Sequence, residues 1–385
     1  MTECVNESRL LKQVHSLKKA NVFNSIFIIA LGSDKLKKHE IISSGVELFR
    51  LCLISRRLPR FWLFQVVKYI EIFIRLVLKI RKLGANVVNA HSLAALPIAC
   101  ICKALFGAKV IYDAHELETE QVGGMSLRKK ISKWVEKKFI HCGDLMIVVS
   151  ESIADWYVDE YNIKRPSVVF NVPKKRELQK KNHFREQIGI RNDQVILLYQ
   201  GGLAAGRGVN SLLVAFKARQ DDKVVAVFMG YGPLQQTIQT AAAEQQNIFY
   251  HPAVIPQVVL EYTASADLGI SLIENTCLSY YYCMPNKLFE YAMAGLPVLV
   301  SNMKDMSELV TKHQMGAVVT DFSAAGINRA LDDFLMQDLA TMKVNAYRVA
   351  CDNAWEVQEQ RMLAAYQAIG LSAATQRLRA DDCHH

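Results

Sequence analysis

The residues from Tyr281 to Ser301, YYCMPNKLFEYAMAGLPVLVS, hold the densest set of chemically useful groups in the chain. Pro285-Asn286 ends an aromatic lead-in, and the pattern predicts a helix that opens at Lys287 and stops at Gly295. Pro297 and a short apolar strand, Val298 to Val300, follow. A helix start presents unpaired backbone N–H groups and the positive end of its dipole, which together seat a phosphate. Glu290 falls about one turn inside that start, where a carboxylate can accept hydrogen bonds from two neighbouring hydroxyls, such as those of a ribose. One loop and one helix would then grip both ends of a nucleoside diphosphate. The alternative is an ordinary amphipathic helix in which Glu290 merely sits near the favourable end of the dipole.

A second segment weighs in favour of the ligand. GGLAAGRG, Gly201 to Gly208, lies between an apolar strand and a predicted helix, and Arg207 places a cation beside the helix start. Glycines let backbone approach a ligand closely, and a guanidinium matches a diphosphate. Gly-rich turns after strands often only reverse the chain, so the signal is of middling specificity. No GxxxxGK[ST] occurs, which excludes a P-loop. Gly230 and Gly232 in MGYGP lack the third glycine of a dinucleotide fingerprint. Two histidines end predicted strands, His91 after VVNA and His115 after VIYDA. His91 reads as structural. His115, between Asp113 and Glu116, reads as a salt-bridged residue when taken alone.

These groups need a scaffold that holds helix starts and strand ends together. With 385 residues, 51% of them hydrophobic, the chain calls for two folded domains rather than one core or a disordered chain. Short apolar strands alternate with helices: Asn86–Asn89, Lys109–Tyr112 and Asp144–Val149 in the first half. Gln194–Gln200, Val224–Gly230, Leu268–Ile273 and Val298–Val300 follow in the second. That is the signature of βαβ units with parallel sheets, whose ligands sit beyond the carboxyl ends of the strands. The basic polar run from Lys174 to Asn192 marks a boundary. The expected division is 1–175, then 190–350, then a helix at 351–370 that packs back on the first domain, and a flexible tail at 376–385.

Charge is split unevenly. Residues 1–190 carry a net of +14 and residues 191–385 a net of −5. A basic first half suits an anionic acceptor or lipid surface; nucleic acid ranks lowest, because the basic residues do not interleave with aromatics. Residues 56–82 resemble a membrane span until Lys68, Glu71, Arg75 and Lys79 are placed on one helical face. Packing of the apolar face on a sheet is the first expectation. Contact of Arg56, Arg57, Arg60 and an exposed Phe61 or Trp62 with an anionic membrane is the second. Nine scattered cysteines without a CxxC pair, and a polar Met1–Glu7 that does not read as a signal peptide, point to a reduced cytoplasmic setting. No metal is expected: Asp221-Asp222 and Asp332-Asp333 are not in DxD contexts.

At this point the chain resembles a retaining glycosyltransferase of the GT-B fold, close to family 4. The blocks that carry the resemblance are VVNAHSLAALPIA, VIYDAHELETE, VILLYQGGLAAGRGVNSLL and PNKLFEYAMAGLPVLVS, with VSESIADWYVDEYNIKRPSVVFNVP as the link. The resemblance implies two Rossmann-like domains facing a cleft. The second would bind a nucleoside diphosphate sugar as donor substrate, UDP-sugar favoured, with no further cofactor. It implies donor contacts at Gly201, Gly202, Arg207, Gly232, Asn286, Lys287, Leu288 and Glu290, and catalytic roles for His115, Arg207 and Glu290. Gly202 stands where the family has a second arginine, and Tyr282 where it has the first of two glutamates. The helix SRLLKQVHSLKK begins at Ser8, so the first strand of the family is absent or reduced to MTECVNE. The implied reaction moves a sugar to a hydroxyl of a lipid-linked or polysaccharide acceptor for a surface glycan, at the inner membrane face. A nucleotide-sugar epimerase of the same fold and a non-catalytic binding protein are the alternatives.

Overall fold

A computed structural model describes residues 3–4, 7–33, 35–59, 61–121 and 127–372, without the side chains at 62, 63 and 128. The expected tail at 376–385, Arg60 and the Trp62 side chain lie outside the described residues. The first lobe opens with helix α1 (Ser8–Lys19), then strands β1 (Ile26–Leu31), β2 (His39–Ser43) and β3 (Val46–Leu51). It continues through α2 (Trp62–Lys82), β4 (Val87–Ala90), α3 (Leu96–Phe106), β5 (Lys109–Ala114), α4 (Leu127–Phe139), β6 (Leu145–Val148), α5 (Glu151–Tyr161) and β7 (Ser167–Val168). Its strands form two separate sheets, ordered β1-β3-β2 and β4-β5-β6-β7. Only β2 runs antiparallel to its neighbour.

The second lobe holds α6 (His183–Ile188), β8 (Val195–Gly202), α7 (Val209–Ala218), β9 (Val224–Tyr231), α8 (Gln235–Glu244) and β10 (Ile248–Pro252). Then come α9 (Val259–Thr263), β11 (Leu268–Ser271), α10 (Leu278–Tyr281), α11 (Asn286–Met293), β12 (Val298–Ser301), α12 (Lys304–Lys312), β13 (Gly316–Val319) and α13 (Ala324–Leu335). One parallel sheet results, ordered β10-β9-β8-β11-β12-β13. The order reverses between β8 and β11, and a crevice opens beyond the carboxyl ends of strands at such a switch point. The strands are buried on both faces, so they read as unbroken apolar runs such as Val224–Met229.

Helix α14 (Leu339–Asp352) lies on α11, and α15 (Trp355–Ala368) returns to the first lobe. Trp355, Met362 and Tyr366 pack with Leu17, Ile111, Ile147 and Val169, and the Trp355 indole donates to Ser16 Oγ at 3.0 Å. Two further ties join the lobes. Ser150, the residue that caps α5 by accepting from Ile153 N–H, donates to the Tyr282 carbonyl at 2.7 Å. Asp305 of α12 accepts from Ser152 N–H and Oγ at 3.1 and 2.6 Å.

Helix α2 meets the first expectation only in part: Leu76 and Ile80 pack with Ile29 of β1, Leu51 of β3 and Val88 of β4. Its charged stripe does not face solvent. Glu71 accepts from Ile54 and Ser55 N–H at 2.9 and 2.8 Å, Lys68 donates to Leu58 O and Arg75 to Cys52 O, and Lys79 lies over the Phe49 ring. The free N–H groups of the 54–57 turn recruit the carboxylate, and that fixes the helix rotation. Leu76 and Ile80 are buried, whereas Val66, Val67, Ile70, Ile74 and Leu78 face outward, between 47% and 60% exposed. One apolar side packs; a second apolar ridge is left bare. Phe61, at the helix start, is also exposed.

Candidate active site

The site in the second lobe is built by two strand-to-helix turns at the switch point. Strand β8 ends in Gly201 and Gly202, and the chain then runs to Arg207 and into α7, capped by Gly208. Gly208 adopts φ +75, and a Cβ there would collide with the Leu272 carbonyl that follows β11, so the turn needs glycine on both counts. A Cβ on Gly232 would collide with the Leu203 carbonyl, so Gly232 supports the turn from below. Gly202 is exposed, with open space where a side chain would extend.

The second turn is Pro285 into α11. Asn286 is its exposed first residue, Lys287 is buried, and Leu288 packs wholly in the core, its N–H donating to Pro285 O at 3.1 Å. Lys287 Nζ lies 3.9 Å from the Tyr199 ring centroid and has no hydrogen-bond partner among the described residues. Burial, and after it the Arg207 charge, pulls its ammonium down from 10.5 to about 7. Arg207 stands with Cζ 5.2 Å from the Tyr280 ring. Neither cation has an ion-pair partner among the described residues. Glu290, one turn on, accepts from Gln200 Nε2 at 2.5 Å. Its carboxyl is pushed up by burial, against the lowering effect of Gln200, Lys12 and Lys287. Arg207, Lys287 and Glu290 therefore share one neighbourhood: two unneutralised cations and a half-buried carboxylate around two helix starts.

Across the cleft, His115 follows β5. Its Nε2 lies 3.3 Å from Asp113 Oδ2 and 3.2 Å from His91 Nδ1. Asp113 is fully buried and bound in bidentate fashion by Arg9, at 3.1 and 2.7 Å, with Gln13 donating to the same carboxylate at 2.7 Å. Burial would raise its carboxyl, but Arg9 and then the two histidines overcome that and hold it well below the carboxylate range. His91, read as structural from sequence, shares this cluster with His115. His91, Asp113 and His115 are also the one group of potential metal ligands among the described residues. Both Asp113 oxygens are already committed to Arg9, which makes this a poor cation site.

Sequence reasoning missed three participants. Gln200 sits at the end of β8, where YQGG gave no hint of a contact with Glu290. Tyr199 supplies the ring beneath Lys287. Lys12, one turn after Arg9 on α1, donates to Asn171 Oδ1 at 2.8 Å and the Val172 carbonyl at 2.6 Å. Burial lowers it to about 8, opposed by Glu290. Helix α1 thus carries charge to both sides of the cleft. Tyr282 lies at the lobe boundary, its carbonyl taken by Ser150. One cavity, of about 870 Å³, reaches His115 but not Arg207, Lys287 or Glu290.

Comparison with known proteins agrees with this architecture. Residues 14–172 match the family model "Glycosyltransferase Family 4" and residues 180–349 match "Glycosyl transferases group 1". The alpha-monoglucosyldiacylglycerol synthase of Streptococcus pneumoniae is 23% identical over 208 residues, 51% of this chain and 46% of that one. The chain thus spans about half the length of that curated relative. Among solved structures, sucrose-phosphate synthase from Thermosynechococcus elongatus superimposes with a TM-score of 0.77 at 16% identity, covering 94% of this chain and 92% of the other. HepE of Anabaena in complex with UDP-glucose gives 0.71 at 14%, covering 96% and 98%.

Proposed function

Starting from a chain that is a two-lobed GT-B glycosyltransferase resembling family 4, we propose that it transfers a sugar from a nucleoside diphosphate sugar, a UDP-sugar by preference, to a hydroxyl of a membrane-borne acceptor. The observation that carries this reading is the pair Arg207 and Lys287. Two cations without carboxylate partners, one of them buried and lacking any hydrogen bond, stand at two helix starts. Burying a charge unpaired is costly unless a ligand completes it. A diphosphate does so, and Glu290 lies at the distance of one helical turn to take ribose hydroxyls.

As the glycosidic bond breaks, its electrons pass to the diphosphate oxygen. Arg207, Lys287 and the N–H groups of α7 and α11 stabilise that charge, a role worth roughly 2.7–4 kcal/mol per donor in comparable oxyanion sites. This arrangement supplies the neutralisation that a bound cation would otherwise provide, so activity is expected to survive chelation. Retention of configuration and a role for His115 beside the reacting carbon rest on the resemblance to family 4. The UDP preference is supported by HepE, which binds UDP-glucose.

A lipid-linked or lipid acceptor is supported by three facts. The first half carries +14. Helix α2 exposes an apolar ridge, and Arg56 and Arg57 are exposed in the turn that precedes the helix. The Streptococcus pneumoniae relative is named for a diacylglycerol product. No helix among the described residues is long and apolar enough to cross a membrane, so this contact would be a surface one.

The test is a thermal-shift panel of nucleotide sugars followed by product analysis with and without acceptor lipid. A ligand at 100 times its Kd adds about 2.7 kcal/mol of stability. A shift with UDP-sugars and an acceptor-dependent product are expected; conversion of the sugar without acceptor would establish an epimerase instead.

A further inference from the structure

The charge of the first lobe is concentrated on three helices. Helix α2 carries five Lys and Arg, α3 one and α4 six, against one carboxylate each on α2 and α4. Twelve cations against two carboxylates leave a net of +10, most of the +14 of residues 1–190. Neither carboxylate offsets it at the surface. Glu71 is taken by the N–H groups of Ile54 and Ser55. Glu136 is buried and accepts from Tyr157, Tyr161, Thr119 and Tyr112 at 2.9, 2.8, 3.1 and 3.2 Å.

The three helices form one layer. Helix α3 joins β4 to β5 and α4 joins β5 to β6, and right-handed crossovers between parallel strands taken in that order lie on one face of the sheet. Helix α3 is sunk between its neighbours: Ile98 and Cys102 pack with Leu76 and Ile80 of α2, and Cys100 with Val135 and Phe139 of α4. What α2 and α4 turn away from the sheet therefore points the same way. On α2 that is the apolar ridge already described. Helix α4 has a stripe of its own. Leu127, Ile131 and Trp134 follow at four and three residues, the spacing of one helical face, and are 74%, 53% and 60% exposed. Lys130, Lys137 and Lys138 are exposed on the same side and form no ion pair among the described residues. Lys138 Nζ lies 5.1 Å from the Trp134 ring centroid.

Apolar side chains and an indole among unpaired ammonium groups suit a partner that is oily within and anionic at its rim. A second copy of the chain does not suit, because it would set like charges against each other. We propose that α4 docks the first lobe on an anionic lipid bilayer. Leu127, Ile131 and Trp134 enter the boundary between headgroups and acyl chains, while Lys130, Lys137 and Lys138 rest on the headgroup phosphates. This rests on the reading of a membrane-borne acceptor and gives it an orientation. One stripe is a marginal anchor and the α2 ridge supplies the second, so both are required. The inner side of α4 serves the same end. Lys129 and Lys133 pair with Glu120, and Glu136 holds Thr119, so the loop that begins at His115 is fastened to the docked helix.

The test is flotation of the whole chain, without nucleotide, on phosphatidylcholine vesicles with and without phosphatidylglycerol. Binding to the anionic vesicles and not to the neutral ones is expected. Lys130→Gln, Lys137→Gln and Lys138→Gln together should weaken partitioning roughly 100-fold. Ile131→Ser with Trp134→Ser should weaken it at least about tenfold, and both variants should keep the wild-type Tm. Lipid brominated in its acyl chains should quench the wild type more than Trp134→Phe, which should still float. Equal binding to both vesicle types, flotation of the α4 variants like the wild type, or equal quenching with and without Trp134 overturns the proposal. Self-association that the same substitutions abolish, with no lipid binding, overturns it too and assigns the face to a second copy. Transfer to acceptor in neutral detergent micelles reads the transferase reading by itself: it survives a failure of docking, and docking survives its failure.

Discussion

Replacing Lys287 with methionine separates what the site does for ligand from what it costs the fold. Each tenfold change in proton affinity corresponds to about 1.4 kcal/mol. Drawing this ammonium from 10.5 to about 7 therefore costs on the order of 4–5 kcal/mol of native stability once it is charged. Methionine fills similar volume over Tyr199 without that cost. Between about pH 7 and 10.5 the unfolded chain binds the proton that the native lysine lacks, so wild-type stability rises with pH across that window. The advantage of Lys287→Met is thus expected to be several kcal/mol at and below pH 7 and to shrink toward zero near pH 10.5. Urea unfolding at pH 6, 7.5 and 9.5 measures it. Calorimetry with UDP supplies the other half: loss of one charge-assisted contact, about 1.5–3 kcal/mol, weakens Kd roughly 10- to 150-fold. Wild-type binding should take up a proton above pH 7, seen as buffer-dependent heat, and the variant should not. A variant less stable than wild type at every pH, or one that binds UDP unchanged, would refute the reasoning.

Arg207→Ala and Glu290→Ala should each lower turnover at least about tenfold while leaving the fold intact by circular dichroism; full turnover in both would remove the site assignment. Asp113→Asn strips the buried Arg9 of its ion-pair partner and is expected to cost roughly 3–5 kcal/mol in denaturant unfolding. Because the native Asp113 carboxyl is depressed, its stabilising contribution is present above the ordinary carboxylate range and is lost as pH falls below it, so the wild-type advantage over Asp113→Asn should fade in acid. Ile70→Glu with Ile74→Glu on the α2 ridge should abolish flotation with anionic vesicles at unchanged Tm; undiminished flotation would move the membrane contact elsewhere.

Much of the scaffold was legible in the sequence because parallel strands buried on both faces leave unbroken apolar runs, as at Val195–Tyr199 and Val224–Met229. Helix α1 was readable from SRLLKQVHSLKK for the complementary reason, a strong 3.6-residue period. Strands β1 to β3 were not read, although IFIIAL is an apolar run of the same kind; HEIIS is an exposed strand with a register break between Ile41 and Ser43. On α2 the period was correct, but a period leaves the rotation of the helix open. Sequence shows that two faces differ, while the partner of Glu71, a backbone turn at Ile54 and Ser55, becomes visible only in three dimensions. The two strand-to-helix turns at the switch point were legible because glycine and proline announce them. Gln200 and Lys12 were not, since their meeting with Glu290 spans 90 positions in one case and two lobes in the other.

The seams between the lobes limit how the protein can breathe. Ser150 and Ser152 hold the Tyr282 carbonyl and Asp305, α15 crosses back to the first sheet, and the Phe170 and Phe289 rings stack at 5.5 Å directly beside Glu290. Any jaw-like motion must pivot close to these fastenings, so the stretch around Tyr282 and Glu290 stays nearly still while the opposite rim gapes. Solvent and substrates would then pass through that far mouth, and, on the proposed role of Glu290, the ribose end of a bound nucleotide would be the last part to loosen.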